Sequence, residues 1–189
     1  MIYLIIGGSC CGKTSFVKNS WLKGTSFETN KDILTYVETK DVIILGKYSN
    51  IDSRERSGTD TISRSQVSLI GEQVLRLFEK GKDIVLEGDK ATSRKLFDKL
   101  LSLGEVKLIL IHCDTHVSLQ RNKEQNTIVK ESTLKAILTK ARNIFDEYKT
   151  IMSGVEIDTT HFSIEDFKQF SICNYEKYIE QDNTLLTLF

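Results

Sequence analysis

Gly7, Gly8, Ser9, Cys10, Cys11, Gly12, Lys13 and Thr14 spell G-x-x-x-x-G-K-T, a pattern whose chemistry is phosphate binding. Gly7 and Gly12 permit backbone turns that a Cβ would forbid and let amide N–H groups face an anion. Lys13 supplies a mobile positive charge for the terminal phosphates of a nucleoside triphosphate, and Thr14 a hydroxyl for Mg2+. With Ser15 in the first helical turn, Gly7 to Ser15 form the candidate site for ATP and Mg2+. The context fits the motif: an apolar run, Ile2 to Ile6, stands before it and an amphipathic segment after it.

Phosphoryl transfer needs a phosphate cradle, a cation, positive charge and a held acceptor. Two acids, Glu87 and Asp89, end the apolar run DIVLEGD. Strand alternation places them on the same side. One is a candidate to order Mg2+ and the other to face an acceptor. Asp89 is taken as the metal-side acid and Glu87 as the catalytic one. In GTDTISR (58–64), Asp60 can accept or orient a hydroxyl proton, and Arg64 can bind phosphate. The same residues also suit a surface turn and a helix cap at Ser63. Arg121 and Lys123 follow the fourth apolar run by about one short helix. There a lid can carry cations to the phosphates, and the bland alternative is a solvated helix face. His112, His116 and His161 show no metal-ligand spacing.

Elements must bring these residues together. Continuous apolar runs at Ile2–Ile6, Asp41–Tyr48, Asp83–Asp89, Val106–Asp114 and Gly154–Thr159 read as five strands buried on both faces. Helices are expected over Thr14–Lys23, from Ser65 to Gly81, after Thr92 or Ser93, and from Ser132 or Thr133. A last helix is expected behind a Ser163/Asp166 capping box. Residues 25 to 40 read as a short irregular or strand-like piece. Strands alternating with helices imply an α/β fold: three α/β/α layers around a five-stranded parallel sheet, as one domain. Right-handed crossovers then gather Lys47, Glu87, Asp89 and Asp114 with the phosphate loop at the C-terminal edge of the sheet. An acceptor loop is expected at about 46–65, a lid at about 115–131 and an acidic end at about 171–189.

Composition narrows the partners. The chain has 189 residues, net charge zero and 40% hydrophobic residues, with no proline. No global basic field advertises nucleic acid, although a local groove is enough for binding. The four cysteines form no C-x-x-C, which fits a reducing, cytoplasmic setting rather than a disulfide framework. The apolar start is too short for a membrane span and lacks a basic flank and cleavage site, so no membrane partner is expected.

GGSCCGKT, the strand-end LEGD, QRNK after the fourth strand and the late VEIDTT together resemble a small phosphate-loop kinase. The group is that of the nucleoside and nucleotide kinases, thymidylate-kinase-like in outline, and the likeness covers Met1 to about Phe170. VIILGKY followed by SGTDTISRS resembles, more narrowly, the bacteriophage 5-hydroxymethyl-deoxyuridine DNA kinases. That family phosphorylates the base hydroxymethyl group within DNA, a step in thymine hypermodification. The resemblance implies that Lys13 and Thr14 bind ATP and Mg2+. It also implies that Asp60 handles the hydroxymethyl group and that Gly46, Lys47, Tyr48 and Arg64 line the acceptor side. The partners implied are ATP and DNA carrying a modified pyrimidine, or a free pyrimidine nucleotide, with the oligomeric state open. Nucleotide kinases usually carry Asp-Arg after the third strand, whereas here Lys90 follows Asp89, leaving Arg64 or Arg94 for that task.

Overall fold

The computed structural model describes residues 1–48, 57–125 and 129–179. Residues 49–56 of the expected acceptor loop, 126–128 of the expected lid and 180–189 of the acidic end lie outside them. The described strands are β1 (Ile2–Gly7), β2 (Glu28–Lys31), β3 (Thr35–Glu38), β4 (Val42–Leu45), β5 (Asp83–Glu87), β6 (Val106–His112) and β7 (Val155–Asp158). They form one sheet in the order β2-β3-β4-β5-β1-β6-β7. The five apolar runs are the five parallel strands from β4 to β7 in that order.

The sheet is larger than expected. An antiparallel hairpin of β2 and β3 extends it from five strands to seven, with β3 antiparallel to β4. β2 reads Glu-Thr-Asn-Lys and is almost fully exposed, so it carries no apolar period to detect. Its polar side chains are those of a protected edge.

Alternate residues of β1 enter two separate cores. Ile2, Leu4 and Ile6 join Val74 and Leu77 of α2 (Ile70–Phe78), Phe97 and Leu100 of α3 (Arg94–Leu101), and Ile144 and Phe145 of α5 (Glu131–Tyr148). Ile5 points the other way, towards Phe16 and Val17 of α1 (Lys13–Val17). Phe170, Tyr175 and Tyr178 complete that second core, so part of the chain after α6 (Ile164–Gln169) is docked. α4 (Thr115–Glu124) lies between β6 and α5 in sequence. The three-layer α/β/α arrangement expected from the sequence is therefore present. No helix among the described residues is long and apolar enough to cross a membrane.

Helix ends follow local chemistry. Ser93 caps α3 by accepting from Leu96 N–H at 3.3 Å, and Ser163 with Asp166 closes a reciprocal capping box on α6. Two ends differ from expectation. The first helix does not run unbroken to Lys23: α1 passes into a π-helical turn, Lys18–Leu22. There the Ser20 hydroxyl takes the Phe16 carbonyl at 2.6 Å, and Lys23 N–H reaches back to Lys18 O at 2.8 Å. The segment from Ser65 begins as a 3-10 turn over Arg64–Leu69, so α2 itself starts only at Ile70.

Gly7 sets how closely β1 and β6 approach at the sheet edge. Its φ is +137°, and a Cβ there would sit 1.8 Å from the Ile111 carbonyl oxygen. Backbone, not a flexible side chain, fills that space. Gly7→Ala is expected to lower stability by about 3 kcal/mol or more, read as the midpoint of chemical denaturation. Gly24→Ala is the control, since Gly24 also has positive φ but nothing within 4 Å of a Cβ. It should cost only about 1 kcal/mol.

Candidate functional site

The phosphate-loop residues leave β1 at Gly7 and enter α1 at Lys13, and the loop between is braced from several elements. Ser118 of α4 donates to Ser9 O at 2.8 Å. Thr159, just after β7, donates to Cys11 O at 3.0 Å. The buried Cys11 thiol lies 3.1 Å from Cys113 Sγ, beyond the end of β6. Cys10 holds a left-handed φ of +57°, and Gly12 faces the Phe167 ring at a distance that leaves no room for a Cβ. Lys13 Nζ donates to the carbonyls of Gly7 and Gly8. Gly8 is buried, while Ser9, Thr14 and Ser15 are half-buried. Burial pushes the Cys10 thiol up rather than down, so neither loop cysteine is an activated thiolate.

A cavity of about 790 Å3 opens beside this loop, lined by Lys13, Thr14, Arg121, Gln125, Thr160 and Phe167 among others. Glu87, Tyr48 and Asp60 are absent from its wall. They form a second group on the other side of Thr14.

Glu87 is the centre of that group. It ends β5, is only 2% exposed, and has both carboxylate oxygens engaged. Thr14 Oγ1 donates to Oε1 at 3.4 Å and Tyr48 OH donates to Oε2 at 3.0 Å. Thr59 Oγ1 donates to the Glu87 backbone oxygen at 2.9 Å. Burial raises the carboxyl to about 7, opposed by the Lys13 charge and assisted by that of Asp60. Burial and the Glu87 charge together hold the Tyr48 phenol well above its ordinary value.

Asp89 does not join Glu87. The strand ends at Glu87, and Gly88 at φ +125° turns the chain, so strand alternation stops before it reaches Asp89. Asp89 pairs instead with Lys140 of α5 at 3.1 Å. The carboxylate brought to Thr14 is that of Glu87, which corrects the expectation of Asp89 as the metal-side acid.

Asp60 is close but occupied. Its Oδ1 accepts from the Asp89 and Lys90 amides at 3.0 and 3.4 Å, capping the 3-10 turn Asp89–Ala91. Lys90 Nζ returns to the carbonyls of Asp60 and Ile62. Lys47 is exposed, its N–H donating to Thr61 Oγ1 at 3.0 Å, and Arg64 is exposed at the start of its 3-10 turn. Neither side chain reaches Glu87. Gly46 is pressed against Gly58, where a Cβ would lie 1.9 Å from the Gly58 oxygen, so this loop is sewn to β4.

Arg121 also departs from expectation. It donates to Thr159 O at 2.7 Å and to Thr159 Oγ1 at 3.3 Å, and its guanidinium lies 4.8 Å from the centre of the Phe167 ring. It is a wall of the cavity that Lys13 and Thr14 also line, with its guanidinium held on carbonyl oxygens. Ser118, Thr159, Thr160 and Phe167 were not singled out as site residues from the sequence. The two threonines had a usable signal, since they directly follow a buried strand at the ligand-binding edge. Phe167 had none beyond an apolar position on a helix.

Among the described residues no cluster of three or more His, Cys, Asp or Glu is placed to hold a metal ion. Thr14 and Glu87 offer adjacent hard oxygens, the donor type that Mg2+ takes when water and phosphate complete its shell.

No protein-family model and no curated protein matches the sequence. Among solved structures, that of a deoxyadenosine kinase from M. mycoides with bound dCTP overlaps 97% of this chain and 100% of its own. The TM-score is 0.45 and the sequence identity 10%. The chemistry therefore has to be read from the side chains.

The raised Glu87 carboxyl has a sign that can be measured. Its ordinary value is 4.5 and its folded value about 7, so the fold favours the protonated form. The associated stability is fully present below about pH 4.5 and is lost as pH rises through 7, where ionised Glu87 costs about 3 kcal/mol. Without nucleotide or metal, Glu87→Gln is expected to raise the thermal midpoint at pH 8 and to flatten the decline between pH 5 and 8.

Proposed function

We propose that this chain is an ATP- and Mg2+-dependent kinase that transfers the γ-phosphoryl group to a hydroxyl of a pyrimidine nucleotide unit. In its specific form the acceptor is the hydroxymethyl group of 5-hydroxymethyluracil in DNA. The observation that carries the reading is Glu87. A carboxylate buried to 2% exposure, raised to about 7, bridges the loop threonine and Tyr48. Burying such a group is costly, and a site for proton acceptance near neutrality accounts for it.

The roles follow from contacts. The loop amides and Lys13 bind the triphosphate. Mg2+, when bound, would take the Thr14 hydroxyl and neutralise phosphate charge, with Glu87 Oε1 ordering its water shell. Glu87 Oε2, on the Tyr48 side, takes the proton of the acceptor hydroxyl, and Tyr48 fixes the carboxylate's orientation. Asp60 positions the turn after β5 through its cap rather than touching the acceptor. The cavity beside Arg121 and Phe167 is assigned to the base and sugar of ATP, where an aromatic face and several amide and hydroxyl groups are available.

The acceptor assignment rests on the sequence resemblance and on the cations of this side. Among the described residues they are Lys47, Arg64 and Lys90, and Lys90 is committed to carbonyl oxygens. That arrangement suits an acceptor with a free hydroxyl better than one gripped by its own phosphate. A base inside a duplex must also be extracted to reach a buried carboxylate, which favours single-stranded substrate.

Label transfer from γ-labelled ATP distinguishes the acceptors. Transfer to oligonucleotides containing 5-hydroxymethyluracil is expected, faster for single strands than duplexes. Transfer to free nucleosides or nucleotides instead would remove the DNA assignment and keep the kinase. Lys13→Ala should reduce transfer by about 10²-fold or more, and Glu87→Gln by about 10²-fold. Asp60→Asn keeps the capping oxygen, so transfer should stay within about tenfold of the parent. A loss as large as that of Glu87→Gln would return Asp60 to the chemistry.

A further inference from the structure

Two thiols meet under the phosphate loop, and nothing in the transfer reaction uses them. Cys11 sits in the middle of the loop and Cys113 just beyond the end of β6, 102 residues later. Their sulfurs are 3.1 Å apart, and the residues are 1% and 2% exposed. Cys10 and Cys173 are not part of this pair: Cys10 Sγ lies 3.6 Å from Gln125 Oε1, and Cys173 is exposed.

We propose that Cys11 and Cys113 form a reversible oxidation site. A hydroperoxide converts the pair to a disulfide, and that bond switches off phosphate binding by the loop.

The pair is buried, so peroxide reaches it as the loop opens towards the large cavity, and polarity then suits the reaction. Cys11 lines the large cavity, and both cysteines line a recess of about 10 Å3, room for about one water-sized molecule. The two thiols share one S–H···S contact, in which either sulfur can donate, and the Arg121 guanidinium adds positive charge; together these hold the Cys113 thiol below its ordinary value. The thiolate is the reactive form. Cys113 sulfur attacks one peroxide oxygen, the O–O bond breaks and the first water departs, leaving a sulfenic acid. Cys11 sulfur then attacks that sulfur, the S–O bond breaks and the second water departs. Two thiols lose two electrons and two protons, and one hydrogen peroxide becomes two waters. A dithiol reductant reverses the change by exchange.

The consequence follows from which side can yield. A disulfide needs about 2.05 Å between sulfurs, so the pair must close by about 1 Å. β6 is paired on both sides, by β1 and β7. Gly7 is already in contact with the Ile111 backbone and cannot advance. The movement therefore falls on residues 8–12, whose amides must face the phosphates. It also disturbs the Ser118–Ser9 and Thr159–Cys11 bonds that set the loop's shape. Misplacing binding groups by about 1 Å is enough to cost one to two orders of magnitude.

The test treats the full chain with hydrogen peroxide and maps cross-links by peptide fragmentation without reductant. Expected is a Cys11–Cys113 disulfide with a mass lower by two hydrogen atoms. Amide exchange over residues 8–13 should change, and ATP affinity should fall about tenfold or more, both restored by dithiothreitol. Cys113→Ser and Cys113→Ala should form no cross-link, and peroxide should leave the exchange pattern and ATP affinity of each as they are in its own untreated sample. Absence of this cross-link, or a cross-link that changes neither exchange nor affinity, overturns the proposal. Because the ATP readout rests on the kinase reading, exchange is the independent arm. If the reduced protein fails to bind ATP, the kinase reading falls, while the exchange change alone decides the switch.

Discussion

β1 is paired along its length to β6 and along most of it to β5, and both partners are parallel to it. That double pairing is the constraint from which the site follows. Ile5 is in register with Glu87 and Gly7 with Ile111. The loop leaving β1, the carboxylate ending β5 and the thiol after β6 are consequently fixed side by side. Neither helix packing nor loop sequence has to find that arrangement. The cost appears at the edge, where Gly7 has no room for a side chain and the chain must turn at once.

The loop that follows is held more by its surroundings than by itself. α4, β6, the segment after β7 and α6 each contribute one contact: Ser118, Cys113, Thr159 and Phe167. α6 is only six residues long, yet its capping box and the aromatic cluster of Phe162, Phe167, Phe170 and Tyr178 give it a firm seat. A short helix can brace a binding loop when its end is capped and its aromatic residues are shared with a core. Such bracing places the amides before a ligand arrives, which lowers the ordering cost of binding.

Five strands and the phosphate loop were legible because each left a local trace: an apolar run buried on both faces, or glycines and a lysine at fixed spacing. The β2–β3 hairpin was legible only as an irregular or strand-like piece over residues 25–40, because Glu28–Lys31 lies exposed at an edge and has no apolar residue. The pairing of Glu87 with Asp89 was misread for a different reason. Alternation is a property of strands, and the strand ended at Glu87, two residues before Asp89. For Arg121 the sequence left a lid cation and a solvated helix face both open, and its spacing could not show that it meets two carbonyls and an aromatic face. The Cys11–Cys113 contact depends on strand register across about a hundred residues, and no local pattern encodes that.

Glu87 and Asp60 show how two nearby acids divide their work. Asp60 spends one oxygen on two backbone amides, which holds the Asp89–Ala91 turn in place. Among the described residues Glu87 receives two hydroxyl donors, from Thr14 and Tyr48, and no backbone amide. Hydroxyl partners that are themselves hard to ionise cannot offset full burial, so the carboxyl rises towards neutrality. An acid meant only to hold structure would be better served by amides, as Asp60 is. The absence of such donors at Glu87, among the described residues, is what leaves its carboxyl raised. Asp60 raises it further through its charge, so one acid shifts the other without touching it.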